Sequence, residues 1–129
     1  MIGNPKVTIL IPNKDGIDIL DNCLNSILNQ TTYTNYEIVI IENNSEKQET
    51  FEYYKKIEQN EKVKVIFYDK KGFNYSGIIN FGVRNTTGDF VVQLNNDVEL
   101  LTPNWLEKMI GFAQREDVGA VRCETILSR

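Results

Sequence analysis

Short apolar runs, β-branched and almost without alternation, recur along the chain: Val7-Thr8-Ile9-Leu10-Ile11, Glu37-Ile38-Val39-Ile40-Ile41, Val63 to Tyr68, and Phe90-Val91-Val92-Gln93-Leu94. A fifth begins at Val118-Gly119-Ala120-Val121. Strands read this way when helices cover both faces of a parallel sheet. Between the runs the spacing changes to that of a helix. Leu20, Leu24, Ile27 and Leu28 form one apolar stripe on a helix over about 17–29, joined by Ile17 and Cys23. A second helix runs to about Gln59 with Phe51, Tyr54 and Ile57 inward, and Ser45 with Gln48 has the spacing of a reciprocal capping box. A third spans about 75–85 with Ile78, Ile79 and Phe81 apolar; Gly77 and Gly82 allow close packing, and Gly88 reads as its C-cap. Thr102-Pro103 opens a fourth, whose buried side is Trp105, Leu106, Met109, Ile110, Phe112 and Ala113. The order βαβαβαβαβ predicts an α/β fold, a mostly parallel sheet of about five strands with helices on both faces and right-handed crossovers.

Three of the runs discharge into polar loops: Pro12-Asn13-Lys14-Asp15, Glu42-Asn43-Asn44-Ser45 and Asn95-Asn96-Asp97. In an open parallel sheet such loops converge on one rim, where ligands bind beyond the carboxyl ends of the strands. Oxygen-rich side chains there suit a hard cation carrying a phosphorylated substrate, although Asn and Asp are also ordinary turn formers.

At 129 residues the chain fits a single domain, spanning 1–129. A formal net charge of -4 and a pI near 4.9 give no electrostatic reason to expect nucleic-acid binding. No apolar stretch reaches the length of a membrane span and no signal peptide is legible, so the chain reads as cytosolic. Cys23 and Cys123 read as separate reduced thiols, and four Asn-x-Ser/Thr triplets as chance in an Asn-rich chain. The absence of histidine removes Ser-His and Cys-His nucleophile pairs and histidine-ligated zinc from consideration. Gly72 and Gly77 have P-loop spacing, but Ile78-Ile79 stands where Lys-Ser/Thr is required. No GxGxxG turn follows the first strand, which argues against a dinucleotide-binding domain.

The rim loops and the segments between them resemble the nucleotide-binding half of family 2 glycosyltransferases, an inverting group with the Rossmann-like GT-A fold. Val7 to Pro12 resembles that family's opening strand, Tyr36 to Ser45 its second strand and acidic loop, and Phe73 to Gly82 its third helix. Gly88-Asp89-Phe90 leads into Asn95-Asn96-Asp97 at the place of its DxD motif. The resemblance implies that Asp97 holds Mg²⁺ or Mn²⁺ against the donor diphosphate, and that Asn95, with Asn96 beside it, contacts ribose or water on the metal. It further implies that Glu42, with Asn44 in the same loop, accepts hydrogen bonds from base or ribose, and that Pro12 and Asn13 line the base pocket. Asn74 would partly replace a phosphate-binding arginine that many members carry where Ile79 stands.

The implied activity is transfer of sugar from a nucleoside-diphosphate sugar, UDP first among the nucleotides, to a glycan or lipid-linked acceptor in surface polysaccharide synthesis. Such a protein would work in the cytoplasm, peripherally at the inner face of the membrane in its full-length form. The family's catalytic base lies well downstream of DxD and is expected here beyond Arg129. The chain is therefore expected to be the donor half alone, inactive by itself, with self-association through an uncovered edge near 118–127. Asn95 and Asn96 replace acids common in the family, and Glu42-Asn43-Asn44-Ser45 replaces the commoner Asp-Asp-Gly-Ser. Two alternatives stand beside this reading: a non-catalytic nucleotide-binding module, and a response-regulator-like signalling domain, which lacks its acidic pair here. Tyr53, Tyr54, Tyr68 and Trp105 read as packing, and Asp15, Asp69 and Glu99 as solvated turn acids.

Overall fold

The computed structural model describes residues 6–68, 75–86, 88–98 and 103–107. Its elements are β1 (Val7–Asn13), α1 (Ile17–Gln30), β2 (Tyr36–Glu42), α2 (Gln48–Ile57), β3 (Val63–Phe67), α3 (Tyr75–Arg84) and β4 (Phe90–Gln93). All strand pairs are parallel, in the order β3-β2-β1-β4. That order reverses between β1 and β4, as in one half of a Rossmann sheet, and it excludes the 2-1-3-4-5 order of response regulators. Four strands are described where about five are expected; the run from Val118, Cys123, the last residue Arg129 and most of the fourth helix lie outside the described residues.

The uninterrupted apolar runs have the predicted cause. On one face Val7, Ile9, Ile11, Ile38, Ile40, Val63 and Val65 pack beneath Leu20, Cys23, Leu24 and Ile27 of α1 and Tyr54 of α2, with Trp105 and Leu106 completing the layer. On the other, Leu10, Val39 and Ile41 meet Ile78 and Ile79 of α3. Interior strands therefore have no polar face to show water. Trp105 Nε1 donates to Thr31 Oγ1 at 2.8 Å, and Thr32 N to the Pro103 carbonyl at 3.0 Å, which ties 103–107 to the end of α1. Among the described residues no helix is long and apolar enough to cross a membrane.

Two local expectations are corrected. Ser45 does not cap α2, which begins at Gln48 after Lys47 with no side-chain cap. Its hydroxyl turns instead to Glu42 and to the backbone N–H of Asp15. Gly88 is not the C-cap of α3, which ends four residues earlier at Arg84. It permits close approach of the chain entering β4 to β1: a Cβ there would lie 2.3 Å from Thr8 Oγ1, 2.8 Å from Thr8 N and 3.0 Å from the Phe90 carbonyl oxygen.

Gly82 supplies a comparison. A Cβ at Gly82 would lie 2.6 Å from Ile41 Cδ1 and 3.0 Å from Leu10 Cδ1, both tips of side chains that can turn aside. Gly88→Ala collides with backbone and should cost about 1–3 kcal/mol, a loss of several degrees in Tm. Gly82→Ala gains up to about 1 kcal/mol of helix propensity and should come out near neutral. Thermal melts of the two variants check the contrast; equal losses would contradict it.

Candidate functional site

β1 runs three residues beyond its last pairing with β4, which ends at Leu10 opposite Gln93. Leu94 N donates to the Leu10 carbonyl at 2.9 Å, and the chain then departs through Asn95, Asn96 and Asp97. Ile11, Pro12 and Asn13 continue to pair with β2 on the other side. Proline is accommodated at position 12 because no β4 partner remains there to accept an N–H. The divergence opens a crevice at the switch point of the sheet, with the ends of β1, β2 and β4 around it.

Asn13 and Glu42 close their strands as register partners, and both side chains are buried, at 3% and 4% exposure. A buried carboxylate needs donors. Glu42 Oε1 accepts the Tyr54 phenol at 2.6 Å and also the Ser45 hydroxyl, while Oε2 accepts Ser45 N–H at 2.7 Å. Burial, followed by the bond to Glu42, raises the Tyr54 phenol above its ordinary range. Asn13 Nδ2 donates to the Tyr54 oxygen at 2.9 Å, and Asn96 Nδ2 donates to Asn13 Oδ1 at 2.9 Å. One chain of hydrogen bonds thus crosses the crevice from the β4 turn to the end of β2.

The other predicted residues fall on this rim with different exposure. Pro12 is half-buried. Asn44 is half-buried in the left-handed region, φ 64°, and its amide donates to Asn43 Oδ1 at 3.1 Å. Asn95 and Asp97 are exposed and Asn96 half-buried, in a turn closed by Val98 N donating to the Asn95 carbonyl at 3.2 Å. Beneath this turn the Cys23 thiol points at the Asn95 carbonyl, 3.8 Å away. Burial, and then the charge of Asp97, push that thiol up to about 12. Asn74 and Arg129 lie outside the described residues.

Two contributors escape a sequence reading. Tyr54 reads as core packing, and it is 2% exposed, yet its hydroxyl joins Asn13 to Glu42. Asp15 is no free turn acid: its carboxylate accepts from Glu46 N at 3.1 Å, Lys47 N at 3.1 Å and Thr50 Oγ1 at 2.8 Å, over the entry to α2. The only signal for it is an acid followed by glycine at the rim, with φ 48° that Asp tolerates better than most residues.

Among the described residues no three His, Cys, Asp or Glu side chains gather into a metal cage. The donor set is one exposed carboxylate, Asp97, with the amides of Asn95 and Asn96 beside it. Mg²⁺ and similar hard ions are held in this way when one or two carboxylates share them with substrate phosphates and water. The rim therefore fits a divalent ion that arrives with a diphosphate.

Comparison with known proteins gives the family and the fold. The family model described as Glycosyl transferase family 2 matches residues 8–127. The O-antigen biosynthesis protein RfbC of Myxococcus xanthus is 37% identical over 124 residues, covering 96% of this chain and 10% of RfbC. The uncharacterized protein y4gI of Sinorhizobium fredii is 37% identical over 121 residues, covering 94% of this chain and 13% of y4gI. The chain thus spans only 10–13% of the length of these relatives. Among solved structures, the mannosyltransferase PcManGT of Pyrobaculum calidifontis, in complex with GDP-Man and Mn²⁺, superposes with a TM-score of 0.76 at 18% identity, over 90% of this chain and 34% of that one. At that identity the likeness speaks for the fold.

The Asp15 contacts carry a pH dependence. Desolvation alone would raise its carboxyl, but the bonds from Thr50, Glu46 and Lys47, together with the Lys47 charge, bring it below the ordinary value of 3.8. A depressed folded-state pKa stabilises above the unfolded value, and that stability is lost as pH falls through the folded value. Wild type should therefore lose more stability than Asp15→Asn on going from pH 5 to pH 3, as read by urea melts at each pH. At pH 7, Asp15→Ala should cost about 1 kcal/mol, in the range of a lost helix cap.

Proposed function

Because this chain belongs to glycosyl transferase family 2, we propose that it forms the donor site of an enzyme that transfers sugar from a nucleoside-diphosphate sugar, with UDP the first nucleotide to test. The observation that carries the reading is the hydrogen-bonded bridge from Asn96 through Asn13 and Tyr54 to Glu42. It brings the ends of β4, β1 and β2 to one crevice at the switch point.

In this reading Pro12, Asn13, Glu42 and Asn44 border the base and ribose. Asn95 and Asn96 meet ribose, with Asn74 near the phosphates and Asp97 as the metal carboxylate. A divalent ion, Mg²⁺ or Mn²⁺, offsets charge on the leaving nucleoside diphosphate when it is bound with the donor. Asp97 suits this task by its exposure, which leaves its carboxylate open to an arriving ligand. Glu42, held by three donors, gives the base side of the crevice a fixed negative end. No residue up to Arg129 is assigned as the base that takes the acceptor's proton. Similarity to RfbC supports a glycan or lipid-linked acceptor in surface polysaccharide synthesis. A buried free thiol at Cys23 suits a reducing, cytoplasmic compartment.

UDP or GDP should bind weakly without a divalent ion and more tightly with Mn²⁺. At about 100 times its dissociation constant a ligand adds about 2.7 kcal/mol, which is several degrees of Tm for a domain of this size. Asp97→Ala should abolish the Mn²⁺-dependent part of the shift. The nucleotide-free variant should stay within about 0.5 kcal/mol of wild type, as an exposed turn substitution does. Thermal-shift titrations with each nucleotide, with Mn²⁺ and with EDTA, decide the matter; a wild-type chain that responds to neither nucleotide refutes the donor site.

A further inference from the structure

We infer that Tyr54, a buried residue whose hydroxyl is engaged between Glu42 and Asn13, is the positioning residue that sets the base side and the metal side of the donor site in one geometry. The inference rests on the donor-site reading and goes beyond it, since it assigns to α2 a part in how strongly metal and nucleotide bind together. Two observations support it. The ring is fixed, standing edge-on to Phe51 at 6.0 Å and to Phe67 at 6.3 Å, both at 87°. The phenolic oxygen therefore sits at one point between the ends of β1 and β2. Its bonds run to Glu42 on one side and Asn13 on the other.

The direction of each bond follows from chemistry. An ionised carboxylate can only accept, so the Tyr54 hydrogen is committed to Glu42. The phenolic oxygen is then free only to accept, which turns the NH₂ of Asn13 toward it. The Asn13 carbonyl is left facing Asn96, which must present its own NH₂. The charge at the end of β2 thus dictates the orientation of an amide in the β4 turn, one residue from Asp97. Without the phenol, Asn13 can rotate, Asn96 loses its fixed acceptor, and the turn that carries Asp97 is no longer held in step with Glu42. Neither metal nor nucleotide need touch Tyr54 for it to govern how much each improves the binding of the other.

The measurement is the ratio of UDP dissociation constants in EDTA and in saturating Mn²⁺, obtained by titration calorimetry for the 129-residue chain, and repeated with GDP. Tyr54→Phe removes one hydroxyl and keeps the ring packing. It should lower this ratio by about fivefold, a coupling typical of groups in one hydrogen-bonded network. In an Asn96→Ala background the same replacement should change the ratio no further, since the bridge is already cut. Should Tyr54→Phe fail to fold, Asn96→Ala alone, which leaves the buried ring untouched, must reduce the ratio by a similar factor. A Tyr54→Phe variant with a lowered Tm and an unchanged ratio overturns the inference and leaves the donor site standing. So do additive effects of the two replacements. A wild-type chain that binds neither nucleotide overturns both.

Discussion

A carboxylate buried at the end of an interior strand is the constraint around which this molecule's rim is arranged. Glu42 closes β2 between β1 and β3 at 4% exposure, and leaving one of its bonds unmade would cost about 1–3 kcal/mol. Its donors come from two directions: Ser45 from its own loop and Tyr54 from the next helix. The requirement therefore fixes two things at once, the path of the chain leaving β2 and the depth at which α2 lies on the sheet. Asp15 adds the third tie, because its carboxylate holds the entry of α2 while its own N–H is taken by Ser45. The loops after β1 and β2 and the start of α2 are a single hydrogen-bonded body.

Topology turns that body into a site. In the order β3-β2-β1-β4 the chain leaves β1 for α1 on one face of the sheet, reaches β4 from α3 on the other, and after β4 returns to the α1 face with Trp105 and Leu106. The pairing of β1 with β4 stops at Leu10, and β1 runs on for three residues beside β2 alone. The gap would be a defect if it were left open, with polar strand ends facing each other and nothing between them. The Asn13 to Asn96 bond spans it while leaving Asn95 and Asp97 exposed above. The proposed donor site thus has a rigid floor with exposed polar groups above it.

How much of this the sequence discloses depends on the range over which each signal acts. Strand runs and helical stripes are local patterns, and every element among the described residues appears close to its expected place. Pro12, Asn13, Glu42, Asn96 and Asp97 are legible as rim residues because a strand end is a local feature too. The errors lie where a contact is made across the fold. Ser45 and Gln48 satisfy the pattern of a capping box, but Asp15, thirty-one positions before Glu46, reaches the same helix entry and releases Ser45 to serve Glu42. Gly88 follows a helix as a C-cap would, yet its necessity comes from Thr8 on a neighbouring strand. Tyr54 occupies an apolar stripe position and packs as one; nothing in its local sequence tells that its hydroxyl meets Asn13 forty-one residues away.

The same network gives a physical reason for an amide rather than an acid at position 96. Suppose position 96 carried an aspartate. Its carboxylate could offer no hydrogen to Asn13 Oδ1, so the Asn13 amide would have to turn and present its NH₂ across the crevice. Its oxygen would then face Tyr54, and the phenol, with one hydrogen to give, would have to choose between Asn13 and Glu42. Giving it to Asn13 strips a buried charge of a donor; keeping it on Glu42 sets two acceptors against each other. An amide at position 96 avoids both. Negative charge in the crevice is thereby divided, with one carboxylate buried and permanently satisfied at Glu42 and one exposed at Asp97. The exposed carboxylate is left single because the floor beneath it is built from directional hydrogen bonds that a second acid at position 96 would break.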